Sequence, residues 1–161
     1  RDLVLLARKV ADLTLQEGRG HKGISCGAAC KINGSIITGK NSKVMHATSA
    51  LILNTIKHLA GIPDKIDLIS PNIIKSIANF KKDVLSSENP SLNLDEALIA
   101  LTISATTNPT AELALSKLKE LKGCEIHMTH IPTPGDEAGL RRLGAWCTSD
   151  PNFSSRQLFI T

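Results

Sequence analysis

The sequence predicts an α/β fold: a three-layer α/β/α sandwich around a mixed sheet of about five strands. Three observations predict it. Helical and strand-like segments alternate after an opening hairpin, the order that stacks helices on a sheet. Asn33-Gly34 joins two short segments and tolerates the positive φ of a tight hairpin, so the first strand pair is antiparallel. Apolar residues make up 42% of 161, which suits one core in a single domain over 1–161.

Each element follows from local chemistry. Leu3, Leu6, Ala7, Val10, Ala11 and Leu13 fall at helical spacing, predicting a helix over 2–17 that ends at Gly18-Arg19-Gly20. Residues 24–32 are small and apolar and read as a strand, with Ser35 to Gly39 as its return. Leu51, Ile52, Ile56 and Leu59 give a second helix its inner face over 46–60, closed by Gly61 and Pro63. Asp67 to Ile69 reads as a short strand. Ser70-Pro71 caps and opens a third helix through Ile73, Ile74 and Ile77. Residues 86–92 read as a surface loop. Asn93 and Glu96 make a capping box for a helix over 95–106. Pro109 breaks that helix and opens another over 109–121, stopped at Gly123. Cys124 to Ile131 is a strand, Thr133-Pro134-Gly135-Asp136 opens a last helix, and Ala145 to Thr148 is the closing strand.

Composition narrows the function classes. The net charge is +4, but the Lys residues are scattered, with Lys81-Lys82 and Arg141-Arg142 the only adjacent basic pairs. Aromatics are 2% and Tyr is absent. A nucleic-acid surface clusters its basic groups and stacks bases on rings, so no nucleic-acid partner is expected. No run approaches the roughly 18 apolar residues of a membrane span, so no membrane partner is expected either. Cys26, Cys30, Cys124 and Cys147 follow no secretory signal, which predicts free thiols in a reducing cytoplasm. The sequence opens on Arg1 and runs at once into a helical pattern, which predicts a piece of a longer protein.

The residues that carry chemistry are few. Cys26 and Cys30 lie four apart on a strand, roughly 13 Å at 3.3 Å per residue, too far for one disulfide or one zinc. His127 and His130 are three apart on a strand and face opposite sides, and they could share a metal only if the strand ends near Thr129 and the chain turns. No three-ligand metal set is visible, so neither metal nor cofactor is predicted. His130-Ile-Pro-Thr-Pro-Gly-Asp-Glu137 passes from a strand end to a helix start, where α/β proteins place ligands. Thr133 and Asp136 read as a capping box there. Asp136 and Glu137 put negative charge in the first turn, which favours a cation or amine over a phosphate. Arg141 or Arg142 is placed to pair with one of those acids at helical spacing. Asn41 sits beside the expected pocket as a donor to a hydroxylated ligand or as a loop brace. Burial makes Cys26 a poor nucleophile.

Gly27-Ala28-Ala29, the Asn33-Gly34 hairpin, Gly39-Lys40-Asn41 and His46-Ala47-Thr48 at a helix start together resemble the cytidine deaminase fold over roughly residues 24–60. That family binds zinc through one His or Cys and two further Cys, with a Glu to move the proton. By this resemblance His46 takes the first ligand position and Thr48 the Glu position, where a hydroxyl cannot shuttle a proton. The nearest counterpart of the second motif is Pro109-Thr-Ala-Glu-Leu113, which has no thiol. The resemblance thus implies the scaffold without its zinc site. Some proteins of the same fold are zinc-free transformylases that act on nucleotide precursors.

A second resemblance covers most of the chain. Cys124-Glu-Ile-His-Met-Thr-His-Ile-Pro-Thr-Pro-Gly-Asp-Glu-Ala-Gly-Leu-Arg-Arg-Leu-Gly144 and Thr148-Ser-Asp-Pro-Asn-Phe153, with residues 24–62 and 94–107, are similar to the C-terminal part of a bacterial family of unknown function, whose members run to several hundred residues. It implies a C-terminal domain of a larger protein. It also implies upstream domains with a glycine-rich, phosphate-loop-like segment that this sequence lacks. The expected function is therefore an accessory or ligand-cleft domain. It would pack on upstream domains, bind a polar small molecule, and pair with a second copy if the protein is a homo-oligomer. The alternative is a hydrolase or transferase for a nucleotide-like substrate. In that version His46, His127, His130 and Asp136 do acid–base work, and Asn41, Thr133, Glu137 and Arg141 bind the ligand.

Overall fold

The structure, a computed structural model, describes residues 2–153. Arg1 and residues 154–161 lie outside that range. Helix α1 (Asp2–Gln16) leads through a glycine-rich loop to β1 (Gly27–Ile32), a hairpin, and β2 (Ser35–Lys40). Helices α2 (Ala47–Ala60), α3 (Pro71–Asp83), α4 (Leu94–Ala105) and α5 (Pro109–Leu115) follow, then a 3-10 turn at Leu118–Leu121. Strand β3 (Glu125–Met128), α6 (Pro134–Arg142) and β4 (Trp146–Ser149) complete the order. The hairpin turn takes φ of 50° at Asn33 and 78° at Gly34, the left-handed pair its sequence requires.

The sheet runs β2-β1-β3-β4, with β1 antiparallel to both neighbours and β3 parallel to β4. The fold is therefore α/β with a mixed sheet, and it has four strands among the described residues where the sequence predicts about five. The missing strand is Asp67 to Ile69. Leu68 and Ile69 are buried, which explains the apolar signal, but they pack beside Leu53 and Lys57 of α2 with no strand partner. An apolar tripeptide records burial; a strand also needs a ladder, and both edges of β1 are already taken.

Helices cover both faces. Alternation sends Gly27 and Ala29 to the α1 side, and Ala28, Cys30 and Ile32 to the α2 side. A Cβ at Gly27 would lie 2.1 Å from the Ala7 carbonyl oxygen, and one at Gly39 would lie 2.5 Å from the Leu51 nitrogen. These two glycines let α1 and α2 press onto opposite faces of the hairpin. The main core lies on the α2 side, where Leu51, Ile52, Ile56, Leu101 and Ile126 are fully buried.

Three element boundaries differ from the sequence reading. The helix predicted over 109–121 stops at Leu115. The Ser116 hydroxyl bonds back to the Leu113 carbonyl at 2.6 Å, and the chain tightens into the 3-10 turn. Strand β1 starts at Gly27 and not at 24, because Ile24 turns back to pair with His21. Strand β3 is Glu125–Met128 and not 124–131: Cys124 lies just before it, and the chain bends at Thr129 and His130. Among the described residues no helix is long and apolar enough to cross a membrane.

Candidate functional site

A small cavity, with about 50 Å³ open to the centres of water-sized molecules, lies where β1 begins and β3 ends. The starts of α2 and α6 converge on it, and the 86–92 loop covers one side. Sequence alternation dictates the floor: Met128 sits on the α2 face of β3, Cys26 lies on the same side just before β1, and both line it.

His46 occupies the N-cap position of α2 without capping it. Its ring turns to α6, and its Nδ1 lies 2.7 Å from Asp136 Oδ2. Asp136 is 2% exposed, and its other oxygen accepts from the Leu94 backbone N–H at 2.8 Å. An ionised carboxylate only accepts, so His46 carries its proton on Nδ1. The Asn89 amide completes the arrangement. Its oxygen accepts from the Ser91 hydroxyl, which leaves its nitrogen to face His46 Nε2 at 3.4 Å. Both ring nitrogens of His46 thus have protein partners, Nδ1 with Asp136 and Nε2 accepting from the Asn89 amide, and together these fix the orientation of the ring at the cavity wall.

Thr133 and Asp136 correct the expected capping box. The Thr133 hydroxyl accepts from the Asp136 N–H at 3.2 Å, but the Asp136 carboxylate does not reach back. It braces α4 and His46 instead. The capping box at Asn93 and Glu96 is present in both directions.

Of the eight sequence candidates, His46, His130, Asp136, Asn41 and Thr133 share this cavity. Asn41 has both ends of its amide engaged: its oxygen accepts from the Cys26 N–H and its nitrogen donates to the Ile24 carbonyl, each at 2.9 Å. It continues the β1 ladder where the strand stops, so it is a loop brace and not a free ligand donor. His130 Nδ1 is 2.8 Å from the Thr129 hydroxyl, and burial holds its pKa below the ordinary histidine value.

Three candidates lie elsewhere. His127 faces α1, with Nδ1 at 2.8 Å from the Thr148 hydroxyl and Nε2 at 3.2 Å from Asp150. A shared pocket for His46 and His127 is thus corrected, since a strand sends alternate side chains to opposite faces. Glu137 and Arg141 pair with each other at 2.8 Å on the outer face of α6. Arg142 bonds Asp95 of α4.

The sequence reading missed His21 and Asn89. His21 lies in the glycine-rich loop between α1 and β1, and its Nε2 is buried without a hydrogen-bond partner among the described residues. Burial lowers its pKa, with Lys22 adding to the effect. The signal was the run Gly18-Arg-Gly-His-Lys-Gly23, whose glycines let the loop fold over a strand end. Cys26 also lines the cavity, and burial pushes its thiol up to about 12, so it stays protonated near neutrality. Among the described residues, no three His, Cys, Asp or Glu side chains are grouped to hold a metal ion. The helix start that meets His46 is that of α6; no residue from Pro109 to Leu113 lines the cavity.

Comparison with known proteins gives a family. A UPF0371 protein of Clostridium botulinum (strain ATCC 19397 / Type A) is 44% identical over 161 residues, which cover 99% of this chain and 32% of the relative. One from Clostridioides difficile (strain 630) is 48% identical over 129 residues, or 80% of this chain and 26% of the relative. One from Clostridium tetani (strain Massachusetts / E88) is 46% identical over 127 residues, or 79% and 25%. The chain spans no more than about a third of the length of these relatives. Residues 1–159 match the family model described as "Domain of unknown function DUF1846, C-terminal", and the chain belongs to that family.

Proposed function

We propose that this chain is the C-terminal domain of a longer bacterial protein and lends it a cavity for a small polar molecule, on a zinc-free, cytidine deaminase-like α/β/α scaffold. The observation that carries this reading is the buried His46–Asp136 bond at the cavity. The scaffold is supported by a hairpin that feeds directly into α2, by β1 lying between β2 and β3, and by helices on both sheet faces.

The donor set does not fit a deaminase zinc. For one ion to be ligated from two helix starts, those starts must converge. The two that converge are α2 and α6. They offer an imidazole and a carboxylate already bonded to each other, with no thiol between them. Thr48, 1% exposed, stands where the proton-shuttling Glu would be, and its hydroxyl contacts the Met128 sulfur. What the cavity offers is a mixed polar lining: the His46–Asn89 pair, the His130 ring, and His21 Nε2, which lacks a partner among the described residues. A buried polar atom costs free energy until it is paired, so this lining favours a ligand with its own donors and acceptors.

The test is a fragment soak of crystals of the full-length protein with small neutral polar compounds. Fragment density in the cavity within hydrogen-bond reach of His21 Nε2 is expected. A cavity plugged by side chains of another segment, or fragments that bind only elsewhere, overturns the reading.

A further inference from the structure

The α1 side of the sheet is only partly covered. Along the register, Lys31 of β1 lies opposite Glu125 of β3, and Glu125 lies beside Trp146 of β4. All three point to the α1 side, because His127 and Thr148, two residues further on, meet there. All three are exposed, and Trp146, the only tryptophan, is 72% exposed. Among the described residues α1 is the one helix on this face. Its main packing is over β1, β2 and β3, and among the described residues it leaves Trp146 of β4 largely uncovered. Parallel strand pairs are normally buried on both faces, and β3–β4 is a parallel pair.

The place where upstream chain would arrive is close by. Ala7 and Ala11 press on Gly27, and Leu3 packs with Ala29. Helix α1 thus runs antiparallel to β1 and begins near the end of the sheet that carries Lys31, Glu125 and Trp146. In the Clostridium botulinum relative about two-thirds of the polypeptide lies outside the matched stretch, and the matched family model is C-terminal.

We propose that the sheet face over β3 and β4, centred on Trp146, is the docking surface for the polypeptide that precedes residue 1 in the longer protein. The proposal rests on the reading of this chain as a C-terminal domain. It is independent of the ligand reading, because the cavity lies at the other end of the sheet and on the α2 face. The docking segment covers the Trp146 ring with apolar side chains and meets the exposed Lys31 and Glu125 charges with polar ones. It supplies the second element of a layer that α1 begins.

Cysteine protection in the full-length protein tests this. Glu125→Cys and, as an exposed reference on α3, Lys75→Cys are labelled with a bulky maleimide. Each site is read by peptide mass spectrometry, and each rate is normalised to the urea-unfolded protein. Labelling at position 125 is expected to be at least tenfold slower than at position 75, at every protein concentration. Adding Trp146→Lys is expected to bring the two rates together. Equal rates without that change overturn the proposal. So does protection that disappears on dilution alongside a dimer mass by light scattering, which assigns the face to a second copy. If protection fails while fragments still occupy the cavity, only the docking surface is lost.

Discussion

Asp136 holds two elements at once. One oxygen serves the first backbone N–H of α4 and the other the His46 ring, from a side chain that is 3% exposed. Asp136→Asn keeps the shape but turns one acceptor into a donor, so either Leu94 or His46 Nδ1–H loses its acceptor, or His46 shifts its proton to Nε2, where it meets the Asn89 amide nitrogen. An unmet buried group costs about 1–3 kcal/mol. Urea unfolding of the variant is expected to show a loss of that order, with the m-value unchanged; an unaltered midpoint would mean the carboxylate is dispensable. The two chemical candidates His46 and Asp136 were legible in the sequence as a histidine at a helix start and an acid at another. Their bond was not, because ninety residues separate them. Asp136 was read as a local cap for the same reason: a capping box is visible within four residues, whereas a cross-helix carboxylate is invisible until the helices meet.

Loop 86–92 shows how an element is held from a distance. Lys81, near the end of α3, is 8% exposed and donates to the Ser91 carbonyl at 2.7 Å and to Glu96 at 2.8 Å. The same Glu96 oxygen accepts from the Asn93 N–H, so one carboxylate ties α3, the loop and α4 together. Ser91 in turn positions Asn89 against His46. Lys81→Met is expected to cost about 1–3 kcal/mol through the unmet carbonyl. It should also speed amide exchange over residues 87–92 by tenfold or more, while α1 keeps its protection. Equal exchange in both proteins would separate the loop from Lys81. Helix and hairpin elements were readable here because caps, periodicity and Asn33-Gly34 act over a few residues. The 67–69 segment was misread because burial against a helix and burial in a sheet leave the same apolar trace.

Across the whole molecule, one polar chain joins the first helix to the last strand. Arg8 of α1 bonds both oxygens of Asp150, Asp150 meets His127 of β3, and His127 meets Thr148 of β4. The Arg8 guanidinium holds the Asp150 carboxyl below its ordinary value near 3.8, with His127 helping. A depressed acid contributes stability that is fully present above its unfolded pKa and is lost as pH falls through the folded one. The stability difference between the wild type and Arg8→Ala is therefore expected to hold from pH 7 to 5 and to close below about pH 4. Chemical denaturation at pH 7, 5 and 2.5 measures it, and a gap that persists at pH 2.5 would rule the ion pair out as its source. By itself the sequence determined the α/β class, the hairpin, most helix limits and the residue types available for chemistry, because these follow from interactions within a few residues. Only the tertiary structure decided the strand count, the face His127 occupies, and the convergence of His21, His46, Asn89 and Asp136 on one cavity. Those depend on strand order and helix packing, which bring distant residues together through contacts no local pattern encodes.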